Sequence, residues 1–149
     1  MLTNKDVSRL SGLPCATIRQ LVHRRIILPT GENGRWTKGQ ALGLCAMKHA
    51  RLAGATMSAA VGVYEILKAA NWDALRAACD DGKQYLRIMG EHVETQLVSH
   101  VAAFDRRLIV AATEKQIPFV VVDVLFWLNR VELAERERMA ERRLEKQPA

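Results

Sequence analysis

A run of polar and basic side chains between residues 17 and 25 carries the clearest chemistry in the sequence. A Gln amide can make two hydrogen bonds to adenine, and an Arg guanidinium can make two to guanine. Thr and Arg side chains also bind phosphate oxygens. We therefore predict base contacts for Gln20 and Arg24. Phosphate contacts are predicted for Thr17, Arg19 and Arg25.

Catalysis and metal binding are the alternative uses of such side chains. The four histidines are His23, His49, His92 and His100. They are scattered, and the sequence has no nucleophile motif, phosphate-binding loop or dinucleotide fingerprint. His23 fits a polar contact in a DNA groove and a plain surface position equally. We therefore predict that the chain is not an enzyme and that it binds no cofactor and no metal.

The cysteines give no sign of a disulfide framework. The three cysteines are Cys15, Cys45 and Cys79. They are far apart, odd in number and without a CxxC pair, which also argues against a zinc site. Each lies in an apolar setting, so we expect buried free thiols and a reducing compartment. The predicted location is the cytoplasm, associated with the nucleoid.

Positive charge is concentrated at the beginning of the chain. The chain has a net charge of +6, and the first 60 residues hold nine basic residues against Asp6 and Glu32, an excess of seven. The remainder carries a net charge of −1. Such polarity favours a polyanionic partner at one end and a different task at the other.

Two short helices would position the polar and basic side chains of residues 17–25. Thr3 and Asp6 form a predicted capping box, and Ser11-Gly12-Leu13 breaks the first helix. Pro14 suits the first position of a second helix, which we predict to about Arg25. Two short helices joined by a Gly-containing turn make a helix-turn-helix.

A β-hairpin is predicted next. Ile26-Ile27-Leu28 and Arg35-Trp36-Thr37 would be its strands, and Asn33-Gly34 its turn. The hairpin would form a wing, and Arg35, Trp36 and Lys38 are its predicted DNA contacts. The alternative for Trp36 is packing at the base of the wing.

The remaining pattern predicts a mainly α fold with a small β component. A helix beginning at Thr37 or Lys38 would have a common inner face formed by Leu42, Cys45, Ala46, His49 and Leu52. Helices are also predicted from a cap at Thr56 or Ser58, over 72–79 and, charged, over 125–146. Strands are predicted at 85–89, 92–98, 108–113 and 119–124, with a helix over 91–104 as an alternative. We predict a winged helix-turn-helix domain over 1–70 and a small α+β domain over 71–149.

This order of motifs resembles a known family. The relevant residues are Leu2 to Leu13, Ala16-Thr17-Ile18-Arg19, Leu28-Pro29, Asn33-Gly34-Arg35-Trp36-Thr37 and Leu52 to Thr56. The first 68 residues or so are similar to the N-terminal domain of MerR-type transcriptional regulators. The resemblance implies a winged helix-turn-helix that binds double-stranded DNA.

The expected function is therefore a sequence-specific, double-stranded DNA-binding transcriptional regulator of bacterial or phage type. We expect a homodimer, because two linked modules gain effective concentration, and possible further partners are RNA polymerase or another DNA-bound protein. The apolar run 119–128 is a dimer or partner surface, or else simply core. It contains Asp123 and is too short to span a bilayer, so no membrane association is expected. The alternatives are an architectural, recombination-directing or packaging factor of a phage or mobile element, and a winged-helix adaptor that binds only protein.

Overall fold

The computed structural model describes residues 1–147 and is mainly helical, with a small antiparallel sheet. The helices are α1 (Asn4–Ser11), α2 (Cys15–His23), α3 (Lys38–Leu52), α4 (Met57–Ala69), α5 (Trp72–Asp80), α6 (His100–Ala103), α7 (Arg106–Glu114) and α8 (Val124–Glu145). The strands are β1 (Lys83–Met89), β2 (His92–Val93), β3 (Val98–Ser99) and β4 (Phe119–Asp123). In the described part of the chain, no helix combines the length and the apolar character needed to cross a membrane.

The helix starts follow from local capping. Thr3 Oγ1 accepts a hydrogen bond from the Asp6 backbone N–H at 3.2 Å, and Asp6 Oδ2 accepts one from the Thr3 N–H at 2.8 Å. Thr37 and Gln40 form a second box of the same kind at the start of α3. Thr56 caps α4. The predicted cap at Thr3 is confirmed, and of the alternatives for α3 and α4 the N-caps are Thr37 and Thr56. Each cap satisfies an amide that the helix leaves free.

The sheet is built around β1. β4 pairs antiparallel with Tyr85 to Met89 of β1, so that Leu86 lies opposite Val122 and Ile88 opposite Val120. β2 pairs with one end of β1, and β3 pairs with the other end. The predicted strands at 85–89 and 119–124 are thus confirmed. The predicted strand at 92–98 is wrong over its middle, where neither β2 nor β3 extends.

One predicted strand, 108–113, is a helix instead. Asp105 caps α7 by accepting a hydrogen bond from the Arg107 N–H at 2.8 Å. α7 packs on β4 and buries Ala112. Local capping and contact with the sheet therefore outweigh the β preference of Ile109 and Val110. The alternative helix over 91–104 is present only as α6.

The predicted β-hairpin over 26–37 does not form, because its backbone groups bond to a side chain. Gln40 is 1% exposed, and its Oε1 accepts from the N–H groups of Thr30 at 3.2 Å and Thr37 at 3.1 Å. Its Nε2 donates to the Leu28 carbonyl. A short 3₁₀ turn over Glu32–Gly34 closes the loop.

A single apolar core joins the two halves of the chain. It extends from Leu2 to Ala134, and α8 packs against both α1 and α3. Within the run 119–128, Val120, Val122 and Leu128 are buried. The core alternative is therefore confirmed for these side chains, whereas Phe126 is half-exposed and a partner surface in this run stays a prediction. The division into two domains stays a prediction.

The end of α3 differs from the predicted inner face. Leu42, Cys45 and Ala46 are buried, but Leu52 is 78% exposed because the helix ends there at the surface. Gly54, with φ of +105°, completes the turn that follows. The predicted inner face is therefore confirmed at Leu42, Cys45 and Ala46 and is wrong at Leu52.

The same substitution at two leucines tests this division between core and surface. We expect Leu128→Ala to lower the free energy of unfolding by about 2–5 kcal/mol, because it opens a cavity in the core. Leu52→Ala is the matched control and should change it by less than about 0.5 kcal/mol. Urea denaturation followed by far-ultraviolet circular dichroism measures both, and equal losses would contradict the packing described.

The cysteines provide a second test. Burial raises the pKa of the Cys45 thiol to about 12 and that of Cys79 to about 11. Cys15 is only half-buried, so the expectation of burial is wrong there. Because the thiolate is the reactive form, iodoacetamide at pH 8 should modify Cys15 first. Mass spectrometry of the folded chain should find Cys45 and Cys79 protected until denaturant is added; equal labelling of all three would contradict their burial.

Candidate nucleic-acid interface

Helix α2 lies at the surface and packs mainly on α1. Its inner side consists of Ile18 and Leu21, which are buried. Pro14 is the residue before the first helical position, and the helix ends at His23 rather than Arg25. The helix therefore begins one residue later and ends two residues earlier than predicted, and its apolar side is as the sequence indicates.

The outer side of α2 and its C-terminal extension bring most of the predicted site residues together. Arg19 and His23 are four residues apart, as are Gln20 and Arg24, so they share one helical surface. These side chains and Arg25 are exposed, whereas Thr17 is half-buried. α2 contains no acidic residue. Within residues 1–147, no carboxylate forms an ion pair with Arg19, Arg24 or Arg25.

Basic residues elsewhere in the first third of the chain are partly neutralised by α8. Arg9 pairs with Glu137 at 3.4 Å, and Lys38 pairs with Glu135 at 3.7 Å. The Lys38 ammonium also lies 4.8 Å from the centre of the Trp72 ring. Lys38 is thus held by α8 and α5, whereas Arg19 of α2 and Arg24 and Arg25 just beyond it are exposed and have no ion-pair partner within residues 1–147.

Asp6 belongs to the same contact between α1 and α8. Burial acts to raise the pKa of its carboxyl, but hydrogen bonds from Thr3 and the positive charges of Arg138 and Arg9 outweigh this and lower it. Asp6 therefore stays ionised at neutral pH. The cap of α1 and its contact with Arg138, at 4.0 Å, both use that charge.

Trp36 is completely buried and is removed from the predicted contacts. Its Nε1–H donates to Asn4 Oδ1 at 2.6 Å, and its backbone pairs with that of Leu2. Packing, the alternative interpretation of Trp36, is confirmed. Arg35 is half-buried in the same loop.

Lys48 of α3 is a further cation close to α2. A Cβ placed on Gly12 would come within 2.5 Å of Lys48 Nζ, so this ammonium lies against the turn between α1 and α2. Gly12 also has φ of +69°, which favours glycine. By contrast, Arg51 donates a hydrogen bond to the Ala55 carbonyl at 2.6 Å and so closes the end of α3.

The C-terminus of α2 places Arg25 in an unusual backbone conformation. The Arg25 N–H donates to the Val22 carbonyl at 2.9 Å, and the Ile26 N–H donates to the Leu21 carbonyl at 3.0 Å. These two hydrogen bonds form a Schellman motif. The residue in the position of Arg25 adopts a left-handed conformation in this motif and is usually Gly. Arg25 has φ of +56°. An exposed cation therefore occupies a position where the backbone favours glycine.

No protein-family model matches this chain, and comparisons with curated proteins and with solved structures found no similar protein. The resemblance to MerR-type regulators therefore remains a prediction from the residues. Within residues 1–147, no three His, Cys, Asp or Glu side chains form a group that could hold a metal ion.

Replacing Arg25 tests the cost of this conformation. Because a left-handed backbone costs a non-glycine residue about 1 kcal/mol, Arg25→Gly should raise the free energy of unfolding by up to that amount. Arg24→Gly, at the preceding position with φ of −77°, is the matched control and should give no gain. Urea denaturation of the three proteins measures the difference, and equal effects at both positions would contradict the assigned strain.

Proposed function

We propose that this chain is a sequence-specific, double-stranded DNA-binding regulator of transcription, which contacts its target through α2 and acts as a dimer. The observation that carries the proposal is the exposed, unpaired basic surface of α2. Arg19, Gln20 and Arg24 are exposed and carry donors of the kind that base edges and phosphates accept.

The distribution of charge supports DNA over a protein partner. A polyanion binds more tightly to cations that are not already paired with carboxylates, because each contact with a phosphate releases a counterion. The cations of α2 are of this kind, whereas Arg9 and Lys38 are paired with α8. Lys48, beside the turn before α2, adds a further donor for a phosphate.

The roles within α2 follow from side-chain chemistry. A major groove about 12 Å wide accepts one helix. Gln20 and Arg24 are assigned to base edges, and Thr17, Arg19 and Arg25 to phosphates. The loop over 28–37, held by Gln40, contributes Arg35 to the same proposal in place of a hairpin wing.

Two chains on each target are part of the proposal. A single small module makes few contacts, and linking two modules raises the effective concentration of the second. We expect the selected target to be palindromic and analytical ultracentrifugation to find two chains per duplex. A single chain on a target without symmetry would contradict the dimer while leaving DNA binding intact.

Substitutions on α2 test the DNA contacts directly. Duplexes selected from a random pool by the wild-type chain are labelled with fluorescein, and binding is measured by anisotropy over a series of salt concentrations. Arg24→Ala should weaken binding by about 1–3 kcal/mol and relax preference at one base pair. Arg19→Ala should weaken all duplexes alike and reduce the salt slope by about 1.

Arg106→Ala is the matched control, since Arg106 is exposed on α7 and loses the same charge. It should bind nearly as the wild type does. The α2 assignment fails if the α2 variants lose no more affinity than this control. If no duplex is retained even at low salt, the protein-adaptor alternative gains; if genomic selection yields attachment or packaging sites instead of promoters, the architectural alternative gains.

A further inference from the structure

A cavity of about 510 Å³ opens between α4, α5, β1 and the loop over 94–97. Its floor contains the buried side chains of Leu67, Leu75 and Leu86. Two alanines of α5, Ala74 and Ala78, lie in its wall. Interiors normally fill such space with side chains, and here small residues on α4 and α5 leave it open. The volume is within the range of sites that hold small molecules.

The polar part of the wall is cationic and hydrogen-bonding. Lys83 is the single charged residue among those that line the cavity, and Asn71, Thr95 and Gln96 are its neutral polar members. No acidic side chain of the part described, 1–147, forms an ion pair with Lys83. The side chains of Thr95 and Gln96 are exposed at the same wall.

We propose that this cavity binds a small anionic amphiphile, with its aliphatic part on the leucine floor and its carboxylate at Lys83. An apolar floor selects an apolar body, because burial there removes apolar surface from water. An unpaired ammonium beside neutral donors selects a carboxylate over a neutral or cationic headgroup. The wall has no aromatic ring, which fits an aliphatic chain better than a planar aromatic ligand.

The inference is independent of DNA binding. The cavity is lined by α4, α5, β1 and the following loop, and none of the residues assigned to DNA lies in its wall. Binding is therefore measured on the full chain without any duplex. Failure of this experiment would not affect the proposal for α2, and the converse holds as well.

Decanoate, used well below its micellar concentration, is the probe. Isothermal titration should show saturable binding of one decanoate per chain. Decanol and decyltrimethylammonium have the same chain with a neutral and a cationic headgroup, and should bind at least fivefold more weakly. No saturable binding of decanoate would overturn the proposal, and equal binding of the three would overturn its anionic selectivity.

Two pairs of variants locate the site. Ala78→Leu fills the cavity and should reduce decanoate affinity at least tenfold, whereas Ala77→Leu, at an exposed position of α5 outside the wall, should not. Lys83→Gln should weaken decanoate about fivefold and leave decanol unchanged, whereas Lys115→Gln, exposed and remote in sequence, should change neither. Circular dichroism verifies that each variant is folded. Decanoate binding that survives Ala78→Leu and Lys83→Gln unchanged would place it elsewhere and overturn the proposal.

Discussion

The side chain of Gln40 holds together the part of the fold on which the rest depends. It is buried, and it satisfies backbone groups of Leu28, Thr30 and Thr37. Leaving such groups unpaired in the interior would cost about 1–3 kcal/mol each. With this loop fixed, Trp36 enters the core beside Leu2, and Thr37 is placed to begin α3. One amide thus joins the connection after α2 to the first turn of the central helix.

Helix α8 organises the charge of the molecule as well as its core. One side of it buries Val124, Leu128 and Val131 against the remaining elements. Glu135 and Glu137 of the same helix neutralise cations of α1 and α3. Arg19, Arg24 and Arg25, at α2 and its C-terminal extension, have no such carboxylate partner within residues 1–147.

The sequence was informative where the determinants are local. Caps at Thr3, Thr37 and Thr56 depend on residues three positions away, and the outer side of α2 follows from helical periodicity alone. The loop over 26–37 could not be predicted, because the groups that would form a hairpin bond to Gln40 beyond it. Likewise, 108–113 has a β-rich composition, yet the cap at Asp105 and contact with β4 make it helical. The pairing of Lys38 with Glu135 was also hidden, since these residues are distant in sequence.

The position of α8 also determines when the molecule can fold during synthesis. Its side chains complete the packing around α1 and α3, yet they are among the last of the described chain to leave the ribosome. Until then, apolar groups of α3 that α8 will cover remain open to water, and Arg9 and Lys38 lack their carboxylate partners. The nascent chain is consequently more apolar at its surface than the finished one. We expect it to associate with chaperones in that interval, and to lose this tendency once α8 has docked.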